Sequence, residues 1–221
     1  ACAAADHVAT RFPNSPTAAA YDAFMQVAVY LGSTDPRPRP PRHTLANLDR
    51  AQSLAPSDPW VLLYQGYTLW ITRDPVGLEA IYRRLDGRAG SGSFAGMLGT
   101  LLVVSGVDLG RGEALIREAV ARAPEPLPLF AHALAISRFR QGDLAGMGAA
   151  LSLSAARTDP LPIVLRMALA CRRDELAMAR RLVAVAEDVL PDCTTCCDTI
   201  LRRLLHDDHV DAIAAALAPL N

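Results

Sequence analysis

Four of the five cysteines stand late in the chain, at Cys171, Cys193, Cys196 and Cys197, with Cys2 alone near the start. Cys193 and Cys196 have the C-x-x-C spacing of a redox pair or of half a zinc site. His206 and His209 follow, flanking Asp207 and Asp208. These side chains could supply the four ligands of a structural zinc, or a metal-dependent enzyme centre in the Cys193–His209 region, although the usual second C-x-x-C is absent. Asp208 also reads as a helix N-cap, with Asp211 three residues on. Cys171 falls at the end of a neighbouring predicted helix and could reach Cys196 or Cys197. A helix-pinning disulfide in an exported protein is the preferred reading of the cluster; buried free thiols and a metal are the alternatives.

Other catalytic patterns do not emerge. The stretch Gly87-Arg-Ala-Gly90-Ser-Gly92 lacks the lysine and the preceding strand of a phosphate loop, and reads as a turn. There is no G-x-S-x-G, no H-E-x-x-H and no paired-carboxylate constellation, so no catalytic residue and no cofactor is expected. All 22 basic residues are arginine, and they are interspersed with acidic ones to a net charge of −1. A nucleic-acid interface needs a basic excess or stripe, so direct nucleic-acid binding is not expected. The longest apolar runs, Trp60 to Ile71 and Met97 to Val104, fall short of the ~20 residues needed to span a bilayer. The Ala1-Cys2 start, with no initiator methionine, reads as a boundary left by processing or by fragmentation.

The elements that must position these residues are helices. The chain has 221 residues, 51% of them apolar and 5% aromatic, with alanine and leucine dominant. That balance favours helices over sheets, and no strand-like alternation of β-branched residues is present. Leu54-Ala55-Pro56, Arg122-Ala123-Pro124 and Val189-Leu190-Pro191 each end an apolar helical pattern. Pro56 and Pro124 stand 68 positions apart, and Pro124 and Pro191 stand 67 apart. Breaker-rich stretches at Gly90 and Thr158 halve those intervals, giving a period of about 34 residues.

Each period splits into two helices. The predicted pairs are 17–31 with 44–55, 60–73 with 75–86, 94–105 with 110–123, 127–140 with 144–157, 160–172 with 174–190, and 195–206 with 210–217. Aspartate before proline at Asp58-Pro59, Asp74-Pro75 and Asp159-Pro160 supplies an N-cap followed by a residue already set to a helical φ. The first helix of each pair is apolar nearly all round, as in Trp60-Val61-Leu62-Leu63-Tyr64. The second is amphipathic, as in Arg111 to Arg122. The expectation is one all-α domain over residues 1–221, a superhelix of about six hairpins. Gly32 to Arg42, with Pro36, Pro38, Pro40 and Pro41 among arginines, is read as a loop inserted in the first pair.

These periods resemble tetratricopeptide (TPR) repeats. Gly66, Gly99 and Ala135 fill the small-residue slot of the first helix; Ala51, Ala119 and Ala186 fill that of the second. The match covers most of residues 44–191. The run Gly99 to Gly106, then Gly110 to Ala119, and the later Arg138-Phe-Arg-Gln-Gly-Asp143 resemble repeat halves of bacterial signalling proteins. Membrane-bound winged-helix transcriptional activators and some adenylate cyclases use such repeats as sensor or interaction modules. The resemblance implies a concave groove lined by Trp60, Tyr67 and Trp70, then His132, Phe139 and Arg140, then Arg172. Such a groove would take a protein, a peptide or a small ligand, for instance one bearing a carboxylate; tryptophan, tyrosine and arginine dominate binding hot spots. Packing between repeats is the competing role for the two tryptophans. The implied function is a sensor or adaptor module, periplasmic by the cysteine cluster and the activator likeness, with a cytoplasmic scaffold as the alternative.

Overall fold

The computed structural model describes residues 7, 9–32, 42–85, 87, 92–122, 127–154, 160–189, 201–202 and 204–220. Among these residues the structure is helical throughout, with no strand. The helices are α1 (Pro16–Gly32), α2 (Arg42–Leu54), α3 (Pro59–Ile71), α4 (Pro75–Leu85), α5 (Ser93–Val104), α6 (Leu109–Arg122), α7 (Pro128–Arg140), α8 (Leu144–Ser152), α9 (Pro160–Arg172), α10 (Leu176–Val189) and α11 (Asp207–Leu217), closed by a 3-10 turn at Ala218–Leu220. None of them is long and apolar enough to cross a membrane. Most helices match the predicted pairs to within a few residues. The proline-arginine insertion, the breakers at Gly90 and Thr158, Pro124, Pro191 and most of the predicted helix 195–206 lie outside the described residues.

The chain divides into two compact units, Ala1–Gly90 and Ser91–Asn221. In the first unit α1 pairs with α2 and α3 with α4, and α1 also packs on α3. Its core gathers Ala19, Ala20, Ala51, Val61 and Tyr64, with Phe24 and Trp60 against them. In the second unit α5 pairs with α6, α7 with α8 and α9 with α10. There α5 packs on α7 and α7 on α9, and the second helices α6 and α8 also meet the first helix of the next hairpin. α11 lies on α9 and also touches α7.

This division of labour follows from side-chain pattern. α5 is buried along Phe94–Val104, as befits a helix enclosed on every side. α6 buries only Gly112, Glu113, Ile116 and Ala119, leaving a solvated face. Leu62, Leu63, Leu98, Leu101 and Leu165 are almost wholly removed from water, each contributing roughly 1.5–3 kcal/mol by burial. The small-residue slots are all interior: Gly66 and Gly99 are buried, as are Ala51, Ala119, Ala135 and Ala186.

Local chemistry sets the ends. Asp58 Oδ1 accepts from the amides of Trp60 and Val61 at 2.9 and 3.0 Å. Asp74 and Asp143 do the same for Gly77 and Gly146, at 2.9 and 2.8 Å. The α11 cap differs from the sequence expectation. His206, not Asp208, stands at the N-cap, its ring nitrogen accepting from the Asp208 amide at 3.3 Å. Between the helices of four hairpins one residue turns left-handed: Arg73, Gly106, Gly142 and Asp174, with φ of 58, 72, 75 and 60°. After α3, α7 and α9 the next amide then reaches back to a carbonyl of the last helical turn: Asp74 to Leu69, Asp143 to Arg138 and Glu175 to Ala170. This is the bonding that closes a helix C-terminus in the Schellman manner.

α5 and α6 approach at a pair of glycines. A β-carbon on Gly99 would stand 2.5 Å from the Gly112 carbonyl oxygen, and one on Gly112 would stand 2.7 Å from that of Gly99. Both obstacles are backbone, which cannot rotate aside. Alanine would gain about 1 kcal/mol of helix propensity over glycine. The forced separation of the helices outweighs this, costing about 1–3 kcal/mol. Gly99→Ala is therefore expected to lower the thermal midpoint by several degrees, read by circular dichroism. A midpoint at or above that of the parent would show that the two backbones do not touch in solution.

Candidate functional site

The groove residues expected in the first unit form part of its core. Tyr67 and Trp70 are buried, and Trp60 is half-buried. They belong to one aromatic assembly. Phe24 lies 5.0 Å from Tyr64 and 5.4 Å from Tyr67, ring centre to ring centre. Trp60 lies 5.7 Å from Tyr64, and Tyr67 lies 6.4 Å from Trp70. Burial raises the Tyr64 hydroxyl to about 12, helped by Tyr21, and raises Tyr67 further. The Trp70 indole nitrogen is buried without a hydrogen-bond partner. Asp22 is also fully buried there, accepting from the Asn47 amide at 2.7 Å.

In the second unit the expected residues have separate roles. His132 is buried, with Nε2 3.0 Å from the Ser154 hydroxyl. Phe139 is buried, and the Arg172 guanidinium sits 5.8 Å from its ring centre. Arg140 donates to the backbone carbonyl of Asp208, which ties the end of α7 to the start of α11. Cys171 carries a free thiol, and burial raises its pKa. Its proposed partners Cys193, Cys196 and Cys197 lie outside the described residues. No group of three or more potential metal ligands occurs among the described residues.

The segment resembling signalling repeats forms a polar brace. Glu113 on α6, buried to 8% exposure, accepts from the Ser137 hydroxyl at 2.9 Å, from Gln141 at 2.9 Å and from Arg138. Arg138 also pairs with Asp143 at 2.9 Å. The Gly146 amide, with Arg138 beside it, holds the Asp143 carboxyl below the ordinary carboxylate value. Arg138, Gln141 and Asp143 therefore join α6 to the α7–α8 turn.

His209 makes the longest-range polar contact of the chain's end. Its ring is buried, and Nε2 lies 2.8 Å from the Val103 carbonyl at the end of α5. The His206 amide reaches the adjacent Val104 carbonyl at 2.8 Å. A carbonyl can only accept, so Nε2 carries the proton of the neutral ring. Nδ1 is then buried without a partner. Desolvation lowers the His209 pKa from 6.5, and nearby Arg140 and His206 push the same way, against the Val103 bond and Asp208.

One further feature was not anticipated. A cavity of about 610 Å³ opens between α8, α9 and α10, lined by Leu151, Ser152, Ser154, Ile163, Arg166, Leu182 and Val185. Arg166 Nη2 lies 3.2 Å from the Leu151 carbonyl and 3.4 Å from that of Ser154, at the open end of α8. The signal for it is present in the sequence, as a single arginine inside the apolar run Pro160–Ala170.

No family model, no curated protein and no solved structure matches this chain. The functional reading therefore rests on these contacts and on the repeat pattern.

Because the folded pKa of His209 is depressed, its stabilising contribution is complete above the unfolded value of about 6.5 and is lost as the pH falls through the folded value. His209→Gln keeps a donor near Val103 but does not titrate. Comparing thermal midpoints at pH 7.5 and 5, the parent is expected to lose more stability on acidification than the glutamine variant. Equal losses would show that His209 is not the titrating group.

Proposed function

We propose that the hairpins are TPR-like repeats of an α-α superhelix, and that the chain is a ligand- or protein-binding sensor or adaptor module of a bacterial signalling or transcription-regulating protein. The observation that carries this reading is the recurrence of one left-handed residue between the helices of successive hairpins. Arg73, Gly106, Gly142 and Asp174 follow one another at 33, 36 and 32 positions, close to the ~34 residues of such a repeat. Enclosed first helices and half-solvated second helices support it further, since a repeat buries its inner helix between neighbours. The likeness of Gly99–Ala119 and Arg138–Asp143 to repeats of membrane-bound activators supplies the signalling context. The reading is tested by selecting displayed random peptides on the immobilised, folded chain. It expects enriched peptides that bind one-to-one by calorimetry and compete with one another. Failure to enrich any, or binding that persists after the chain is heat-unfolded, would defeat it.

The periplasm is the proposed location, supported by the Cys193-Thr-Thr-Cys196-Cys197 cluster. The free thiol of Cys171 favours a second reading, a cytoplasmic scaffold that organises partners. Thiol titration of the denatured chain separates the two. A periplasmic chain is expected to show at least two fewer reactive thiols before reduction than the five present after it. Five in both states would favour the scaffold.

A further inference from the structure

We propose that the cavity between α8, α9 and α10 is a binding site for a small monoanion with an apolar body, of the medium-chain carboxylate type, whose carboxylate pairs with Arg166. This rests on the binding-module reading and names the chemistry of one ligand. Its volume of about 610 Å³ lies within the roughly 300–1,000 Å³ of small-molecule sites. Leu182 and Val185 supply the accessible apolar wall, with the buried Leu151 and Ile163 behind them. Val185 is 44% exposed, so a hydrocarbon body seated there would remove apolar surface from water.

The polar groups narrow the choice of head group. Arg166 is the single charged residue among the described residues of the lining. Nη2 is held against the Leu151 and Ser154 carbonyls, which fixes the guanidinium plane. Nε and Nη1 make no bond to the described protein, and no carboxylate among the described residues pairs with Arg166. A half-buried cation with donors to spare and no counter-ion among the described residues favours an anion, and guanidinium matches carboxylate well. A dianionic phosphate would want a second cation, which the described lining lacks. A sugar would want several hydroxyl partners. Ser152 already donates to the Gly148 carbonyl at 2.9 Å, and Ser154 is engaged with His132. One cation and two accessible aliphatic side chains, Leu182 and Val185, among the described lining suit one negative charge on a short hydrocarbon.

The two carbonyl contacts would by themselves give Arg166 a purely structural task, closing the C-terminal end of α8. The test separates that task from binding. Decanoate, decanol and inorganic phosphate are titrated into the intact chain by calorimetry, with decanoate below its micellar range. The expected result is one-to-one binding of decanoate, decanol weaker by about tenfold or more, and no heat from phosphate. Arg166→Met keeps the stem and removes the charge, and should bring decanoate down to the level of decanol. Val185→Phe, at an exposed position with little risk to folding, should block decanoate by filling the cavity while leaving the circular dichroism spectrum unchanged. Equal binding of decanoate and decanol would overturn the proposal, as would decanoate binding indifferent to both substitutions. Absence of decanoate binding while selected peptides still bind would defeat this inference alone. Failure of both ligands and peptides would defeat the binding-module reading with it.

Discussion

Gly99 on α5 and Gly112 on α6 lie so close that each backbone occupies the space a β-carbon on the other would need. The rest of the second unit builds outward from that contact. Because α6 sits tightly on one side of α5, the remaining sides of α5 are free to take α7, and Gly96 repeats the device by admitting the Phe130 ring where a β-carbon would clash. Small residues thus do what large ones cannot: they bring helix axes close enough for the leucines on either side to interlock at the density of a protein interior. Ala135 and Ala186 hold comparable interior positions on later helices, and Ala51 holds one in the first unit.

Polar groups in such an interior need partners, and the second unit meets that need between hairpins. Glu113 sits on an amphipathic helix but is nearly enclosed, and three donors from α7 and its turn satisfy it. His209 answers the Val103 carbonyl at the end of α5, where a helix leaves its last carbonyls without intrahelical donors. These contacts link residues far apart in sequence, so they report on tertiary arrangement more directly than the hairpins do. They also explain why the Arg138–Asp143 segment looks specialised: its charges brace the fold. Arg166, which pairs with no carboxylate among the described residues, lies elsewhere, on α9, beside the cavity.

Helix boundaries were largely legible in the sequence because their causes are local. An aspartate before a proline satisfies free amides whatever lies around it, and Asp58 and Asp74 do so here. The spacing of apolar residues told enclosed helices from half-solvated ones, since a helix with leucines all round can only be interior. The cap of α11 was misplaced by two residues. Asp208 has the better capping side chain, but Arg140 holds its carbonyl, and His206 takes the cap with its ring.

The candidate site was much less legible. Trp60, Tyr67 and Trp70 have the composition of a binding surface, yet aromatic rings stabilise a core by the same burial that makes them useful at an interface, and type alone does not say which is happening. His132 and Arg140 likewise bond to groups, Ser154 and the Asp208 carbonyl, that stand 22 and 68 residues away. Arg166 was visible as an oddity in an apolar run, but the cavity beside it exists only because α8, α9 and α10 meet there. From its own chemistry the chain determined that it would be helical, where its turns would fall and which helix faces would leave water. Tertiary structure alone decided which polar groups would be consumed by the fold and that Arg166 would meet no carboxylate among the described residues, because those outcomes depend on distances between segments that no local rule constrains.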